Sequence, residues 1–570
     1  MRTNLNVKIV REYLETLKED GELDWLFPTL LSAMNHIIIS TPRQSKGQPQ
    51  YGKDVISRGT ARDGITYRWY FQLKGGSARN ITDEVFNQRD GIRESLLQAK
   101  DTIYSDSGLP EFNDLPVKLV LVHNGVLKEN TRRQYDDFIK REFRPGEFER
   151  WDIEKLSRLC AENLFNEYLF CTEECTKLVR KMLVMIDVPG WDTKDLEKVV
   201  EILLDRCGKR PSQRKVRQTF AALNMLQRLI RSHSPNNLLP AKKSSALLVL
   251  KTWSWMLKHH YVGKVEYEKM YNALIWQHIC IYSEYFDKLL PLARTYKGLA
   301  MPNGLVTERV LYPMRCYDFL GDFVYYSEAM VAYTPLEKRK TLICAMREEI
   351  RQLLRANTGF DMPLRDTDSI TILLTMRYML TRVEHSAEDE KQIFDWLHKI
   401  TLNLLTRYRQ NKMLPEMTGN NKVIAKSMFE KSYDYEDPSS LLLLILAETF
   451  AHMNDDVHYN LIRELVKESG VNLQVAYPIE KENLEVALFD HRLYREMSVE
   501  INIRLPETVA EFNKEFVKHY NHIPLQTDKS CFSFLITLAH VYYQTDMFPD
   551  EVVLGHLRPL DDKEAADRTN

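Results

Sequence analysis

The period of the hydrophobic positions changes along this chain. Over residues 23–39 apolar residues first recur at helical spacing and then run together as in a strand. Residues 53–57 and 67–74 read as two strands joined by a turn around Asp63-Gly64. Residues 81–104 read as a helix, 117–122 as a β-branched buried strand, 129–143 as an amphipathic helix and 148–152 as a short closing strand. Helix, strand, strand, helix, strand, helix, strand is the order of a compact α/β unit.

Beyond about residue 171 the period stays helical. Helices are expected over 196–207, 216–232, 246–259, 267–286, 336–355, 389–408, 439–452 and 533–543. No motif repeats at a fixed period, so a regular solenoid is not expected. The predicted fold is an N-terminal α/β domain followed by a large all-α region, a mostly helical α+β multidomain chain overall. The expected divisions are 1–165 for the α/β domain, 166–290 for a basic helical region and 291–570 for a regulatory or oligomerising helical region.

Composition agrees with this picture. A length of 570 residues suggests roughly three to four domains. Gly (21) and Pro (22) are sparse, which favours helix, and 44% hydrophobic residues suffice for several cores, against a disordered or fibrous chain. Eight irregularly spaced cysteines point to reduced thiols and a cytoplasmic setting. The N-terminus lacks the apolar segment of a signal peptide, and the apolar run at 441–447 is too short for a bilayer, so no membrane partner is expected.

One constellation carries chemistry. Asp54 opens one predicted strand, and Gln72-Leu73-Lys74 ends the next. Residues two apart share a strand face, so Gln72 and Lys74 point together while Leu73 turns to the core. A carboxylate, an amide oxygen and a lysine at one sheet end suit the holding of Mg²⁺ (or Mn²⁺) and a water against a phosphodiester. The bland alternative makes Asp54 a turn residue and Gln72 with Lys74 a solvent-facing edge pair.

At these residues the chain resembles the PD-(D/E)XK nuclease superfamily, in particular Mrr-like restriction endonucleases with the D…QxK variant. Residues 23–34 look like the family's first helix, whose acid would be Asp24, with Glu22 as a substitute. Residues 118–138 are similar to its third strand and following helix, and 148–156 to its closing strand. The resemblance covers residues 1–165 and implies a restriction-endonuclease-like fold. It implies Asp54, Gln72, Lys74 and Asp24 as catalytic residues, with the metal on Asp54, Gln72 and the Leu73 carbonyl. It further implies metal-dependent DNA cleavage, often in bacterial defence; the expected partners are DNA, a companion defence protein and a second copy of the chain in a homo-oligomer. An RNA-directed nuclease on the same core, or a non-catalytic nucleic-acid-binding scaffold, is the alternative.

Net charge is −2, so no global basic character argues for nucleic acid, but the charges are unevenly placed. Residues 206–265 contain no Asp or Glu and thirteen Lys or Arg. Such a run can track a phosphate backbone, with Arg210, Arg214, Lys215 and Arg217 as the candidate contacts. The alternative is a helical face paired with acidic helices. Gly47 to Lys53 matches the start of a phosphate-binding loop, but Asp54 replaces the Ser or Thr and a strand is expected where a helix belongs. Cys171 and Cys175 lack a second ligand pair and read as core thiols. His123-Asn124 follow a strand toward the same sheet end, as substrate contacts or as a satisfied strand-end pair.

Overall fold

The computed structural model describes residues 2–42, 51–61, 63–105, 108, 110–164, 173–186, 188, 191–208, 211–301, 304–380, 385–416, 424, 439–478, 484–490, 497–516 and 525–545. Its contacts form two units, residues 1–244 with 269–277, and residues 245–268 with 278–570.

The first unit is built on a five-stranded mixed sheet, β1 (Ile37–Ser40), β2 (Val55–Thr60), β3 (Thr66–Lys74), β4 (Val117–His123) and β5 (Phe148–Trp151), in sequence order. β2 runs antiparallel to β1 and β3, while β3, β4 and β5 are parallel. Around it lie α1 (Arg2–Leu14), α2 (Asp24–Ala33), α3 (Asp83–Asn87), α4 (Ile92–Asp101), α5 (Pro110–Asn113), α6 (Glu129–Glu142) and α7 (Ile153–Asn163).

β3 is the central strand and is covered on both faces, as its near-continuous apolar sequence requires. One face carries Trp69 and Phe71, with Phe71 edge-on to Phe27 of α2 at 5.0 Å and to Trp151 of β5 at 5.5 Å. On the other, Tyr70, Ile56 and Leu121 pack with Leu96 of α4 and Phe138 of α6. The single helix expected over 81–104 is broken into α3 and α4. Asp90 adopts φ 59°, and a Cβ on Gly91 would meet the Gln88 carbonyl at 2.6 Å, so the chain turns there.

The first unit does not end at residue 165. It also holds α8 (Glu173–Met185), α9 (Lys194–Asp205) and α10 (Gln213–Ser232). The reason lies in α1, whose Ile9, Val10, Tyr13 and Leu14 are buried. α7 and α10 supply that cover, and Arg228 of α10 donates to the Asn6 side chain at 2.9 Å. The expected boundary between 165 and 166 therefore cuts through one packed unit, and the basic region drawn over 166–290 takes in parts of both units.

The second unit is mainly helical. α11 (Leu239–Lys258) and α12 (Val265–Ala293) contribute to both units. They are followed by α13 (Leu305–Tyr333), α14 (Leu336–Ala356), α15 (Asp368–Leu380), α16 (Ala387–Asn411), α17 (Leu441–His452), α18 (Asp456–Ser469), α19 (Leu484–Asp490), α20 (Val509–Phe516) and α21 (Phe534–Tyr543). α17 is apolar on nearly every side and buried from Leu441 to Ala451, as a helix enclosed by others must be. A small three-stranded sheet, absent from the sequence expectation, joins β6 (Ser439–Ser440), β7 (Asn472–Pro478) and β8 (Met497–Ile503). Among the described residues no disulfide joins the cysteines, and no helix is long and apolar enough to cross a membrane. Cys171 and the C-terminal tail lie outside the described residues.

Candidate functional site

Antiparallel pairing places Val55 opposite Phe71, so Asp54 stands across from Gln72 where β2 begins and β3 ends. The pairing is anchored twice. The Asp54 amide donates to the Phe71 carbonyl at 2.8 Å, and the Leu73 amide donates to Asp54 Oδ2 at 2.6 Å. The N–H and C=O of one strand residue point the same way. The Leu73 carbonyl therefore faces the Asp54 side of β3, while the Lys74 carbonyl accepts from Asn124 on the β4 side at 3.4 Å. Asp54, Gln72, Leu73 and Lys74 thus meet at one end of the sheet, and the strand bearing Gln72 is central, not an edge.

Gln72 is 2% exposed, and its Oε1 is buried without a hydrogen-bond partner. A buried amide oxygen left unpaired costs roughly 1–3 kcal/mol, so its placement calls for an explanation. Lys74 Nζ instead has a carboxylate, Glu19, with Oε1 at 3.2 Å and Oε2 at 3.5 Å.

Glu19 was not among the sequence candidates. It opens an irregular turn, Glu19–Leu23, in which Asp20 (ψ 128°) and Gly21 (φ 74°) depart from helical geometry. This turn lies across the end of β3. Glu19 Oε2 also accepts from the Gly75 amide at 3.3 Å, and the Gly76 amide donates to the Leu17 carbonyl at 3.2 Å. Asn124, at the end of β4, ties down the same segment by donating to the Leu14 and Leu17 carbonyls at 2.6 and 2.9 Å. Gly75 leaves room for it, since a Cβ there would stand 2.7 Å from the Glu19 nitrogen. Gly21 within an acidic run was the signal for a turn before the helix.

Asp24, the expected acid of the first helix, occupies the first turn of α2, where a carboxylate suits the helix dipole. Its Oδ1 is buried without a partner, and the carboxylate on Lys74 is that of Glu19. The substitute Glu22 points elsewhere, accepting from the Lys18 amide at 2.7 Å and from Arg214 at 3.3 Å. His123 lies beside Lys74 in the parallel register, with Nδ1 3.0 Å from the Arg79 carbonyl and Nε2 buried without a partner. Burial pushes its pKa down to about 4, so the ring is neutral at pH 7.

Loss of hydration pushes the Asp54 carboxyl up to about 6. The Leu73 amide and Lys74 pull the other way, and Glu19 and Asp20 add to the rise. An enclosed, under-compensated carboxylate beside an unpaired amide oxygen, a second carboxylate and an outward carbonyl is a set of hard oxygen donors. Such a set fits Mg²⁺ or Mn²⁺. Among the described residues no group of three His, Cys, Asp or Glu is placed to hold a metal; here one donor is an amide.

Several cations of the 206–265 run are used internally. Arg214 donates to the Thr16 carbonyl at 2.8 Å as well as to Glu22. Lys251 is buried against Asp490 at 2.6 Å, and Arg231 and Lys242 are buried. Lys215 and Arg217 are exposed on α10, and Arg210 lies outside the described residues. Arg214 is thus bound into the fold, and the run is not one uninterrupted basic face. In the phosphate-loop decoy, residues 47–50 lie outside the described residues. Lys53 there donates to Thr102 Oγ1 at 2.6 Å, and β2 follows it.

No protein-family model, no curated protein and no solved structure matches this chain, so the sheet end itself carries the functional reading.

Proposed function

We propose that the first unit is a metal-dependent endonuclease of the restriction-endonuclease-like kind, hydrolysing DNA phosphodiester bonds as an effector of defence against foreign DNA. The observation that carries this reading is the unpartnered Gln72 Oε1, buried on the central strand beside Asp54 and Lys74. Asp54, the Gln72 amide oxygen and the Leu73 carbonyl would hold the cation. When bound, Mg²⁺ or Mn²⁺ supplies charge neutralisation at the phosphate and a more acidic water. Asp54, fixed through Oδ2 by the Leu73 amide, keeps its remaining oxygen in a constant place. Lys74 orients the attacking water, and Glu19 holds the lysine at the strand end and balances its charge.

The test is cleavage of supercoiled plasmid by the full chain with Mg²⁺, Mn²⁺ or EDTA, beside Asp54→Ala and Lys74→Ala. Nicking or linearisation that needs the metal and is lost in both variants is the expected result. Cleavage of RNA alone would move the substrate to the RNA-directed alternative. Cleavage undiminished in Lys74→Ala would remove the proposed site.

A further inference from the structure

Arg214 lies in the basic run but does not belong with the exposed cations of α10. We propose that Arg214 is a positioning residue for this site, holding the turn from Thr16 to Glu22 so that Glu19 closes on Lys74. The proposal rests on the nuclease reading for its effect on turnover, but not for its structural content.

The contacts form a continuous chain. Arg214 grips the segment at two points, the Thr16 carbonyl at 2.8 Å and the Glu22 carboxylate at 3.3 Å. Glu22 Oε2 in turn accepts the Lys18 amide at 2.7 Å, which closes the turn on itself. Glu19, the next residue, reaches Lys74 and the Gly75 amide. The turn's own backbone closes on the Lys18 and Glu19 carbonyls, through the Leu23 amide at 3.0 Å and the Asp24 amide, while Asp20 and Gly21 leave helical geometry; Arg214 adds a hold from outside the turn. The Arg214 side chain is 32% exposed and that of Glu22 is 21% exposed, so the pair is partly shielded from water. A guanidinium can serve a carbonyl and a carboxylate together, which a lysine at the same place cannot do with one fixed geometry.

A phosphate-binding role for Arg214 makes the opposite prediction, so the two separate cleanly. In Arg214→Ala, kcat on supercoiled plasmid should fall on the order of 10- to 100-fold, the scale of a misplaced catalytic group. Affinity for the same DNA in EDTA, and its dependence on salt, should stay unchanged. Glu19→Gln should show a similar loss, and the double variant should be little worse than either single one, because the two act through one contact. Arg214→Lys should recover part of the loss. Glu22→Gln, which keeps the acceptor for the Lys18 amide, should shift kcat the same way by less, and it serves if Arg214→Ala folds poorly.

Hydrogen exchange reads the same hold without any activity. In Arg214→Ala the Gly75 and Gly76 amides should exchange about tenfold faster or more, while the Asp54 and Leu73 amides keep their protection. Unchanged exchange at Gly75 and Gly76 would overturn the proposal. So would weaker DNA binding with a salt slope smaller by about one and kcat preserved at saturation. If the wild-type chain cleaves nothing, the nuclease reading falls, and exchange at the two glycines still decides the role of Arg214.

Discussion

Asp54 shows how a residue's surroundings set its chemistry. Its carboxyl, pushed from an ordinary 3.8 up to about 6 by loss of hydration, prefers to be neutral in the fold. Its contribution to stability is therefore fully present below about pH 3.8 and is lost as pH rises through about 6. Asp54→Asn should accordingly stabilise the metal-free chain near pH 7.5 by on the order of 1–2 kcal/mol, with the gain vanishing near pH 4. Urea midpoints at the two pH values measure this, and an equal effect at both would contradict it. Adding Mg²⁺ should stabilise the wild type and not the variant. At this scale the placement of Asp54, Gln72 and Lys74 at one sheet end was legible, because strand parity and the strand-end position follow from a two-residue period. Glu19 was not, because its role comes from a turn whose path no period describes. Asp24, five residues on, had the better helical address and a different neighbourhood.

Among the elements, the segment crossing the end of β3 depends on a close approach of two backbones. Gly75 has φ −143°, open to any residue, so its importance is one of space alone. Gly75→Ala would place a Cβ 2.7 Å from the Glu19 nitrogen and 3.0 Å from the Lys18 carbonyl carbon, both backbone atoms. The segment must lift, at a cost of about 1–3 kcal/mol, with cleavage reduced on the order of 10- to 100-fold. Circular dichroism and plasmid assays should find the sheet kept and activity largely lost; full activity would place Glu19 outside the working site. Gly52→Ala should be worse, since Gly52 has φ 71° and the new Cβ would lie 2.0 Å from the Ser95 carbonyl of α4. Long helices and the β3–β4 core were legible from period and β-branching. β6 to β8 were not, because two residues of β6 carry no pattern and the register of β7 with β8 shifts between Leu473 and Val475.

For the whole molecule, the misjudged boundary has a practical consequence. Hydrophobic period does not report which helix covers which, and the elements expected from sequence begin at residue 23, so the reliance of α1 on α10 was not visible. A fragment of residues 1–165 would expose the apolar side of α1 that α10 covers, and Arg228 could no longer reach Asn6. Such a fragment should aggregate or melt without a cooperative transition, and a soluble fragment with a sharp thermal transition would restore the shorter domain. The link from Arg214 to Glu22 also spans 192 residues of sequence. During synthesis at about 5–20 residues per second, β3 leaves the ribosome on the order of ten to thirty seconds before α10 does. On the proposed function, a nascent or truncated chain would thus carry the candidate site before Arg214 reaches the turn that bears Glu19, and order of translation would itself delay the completion of the site.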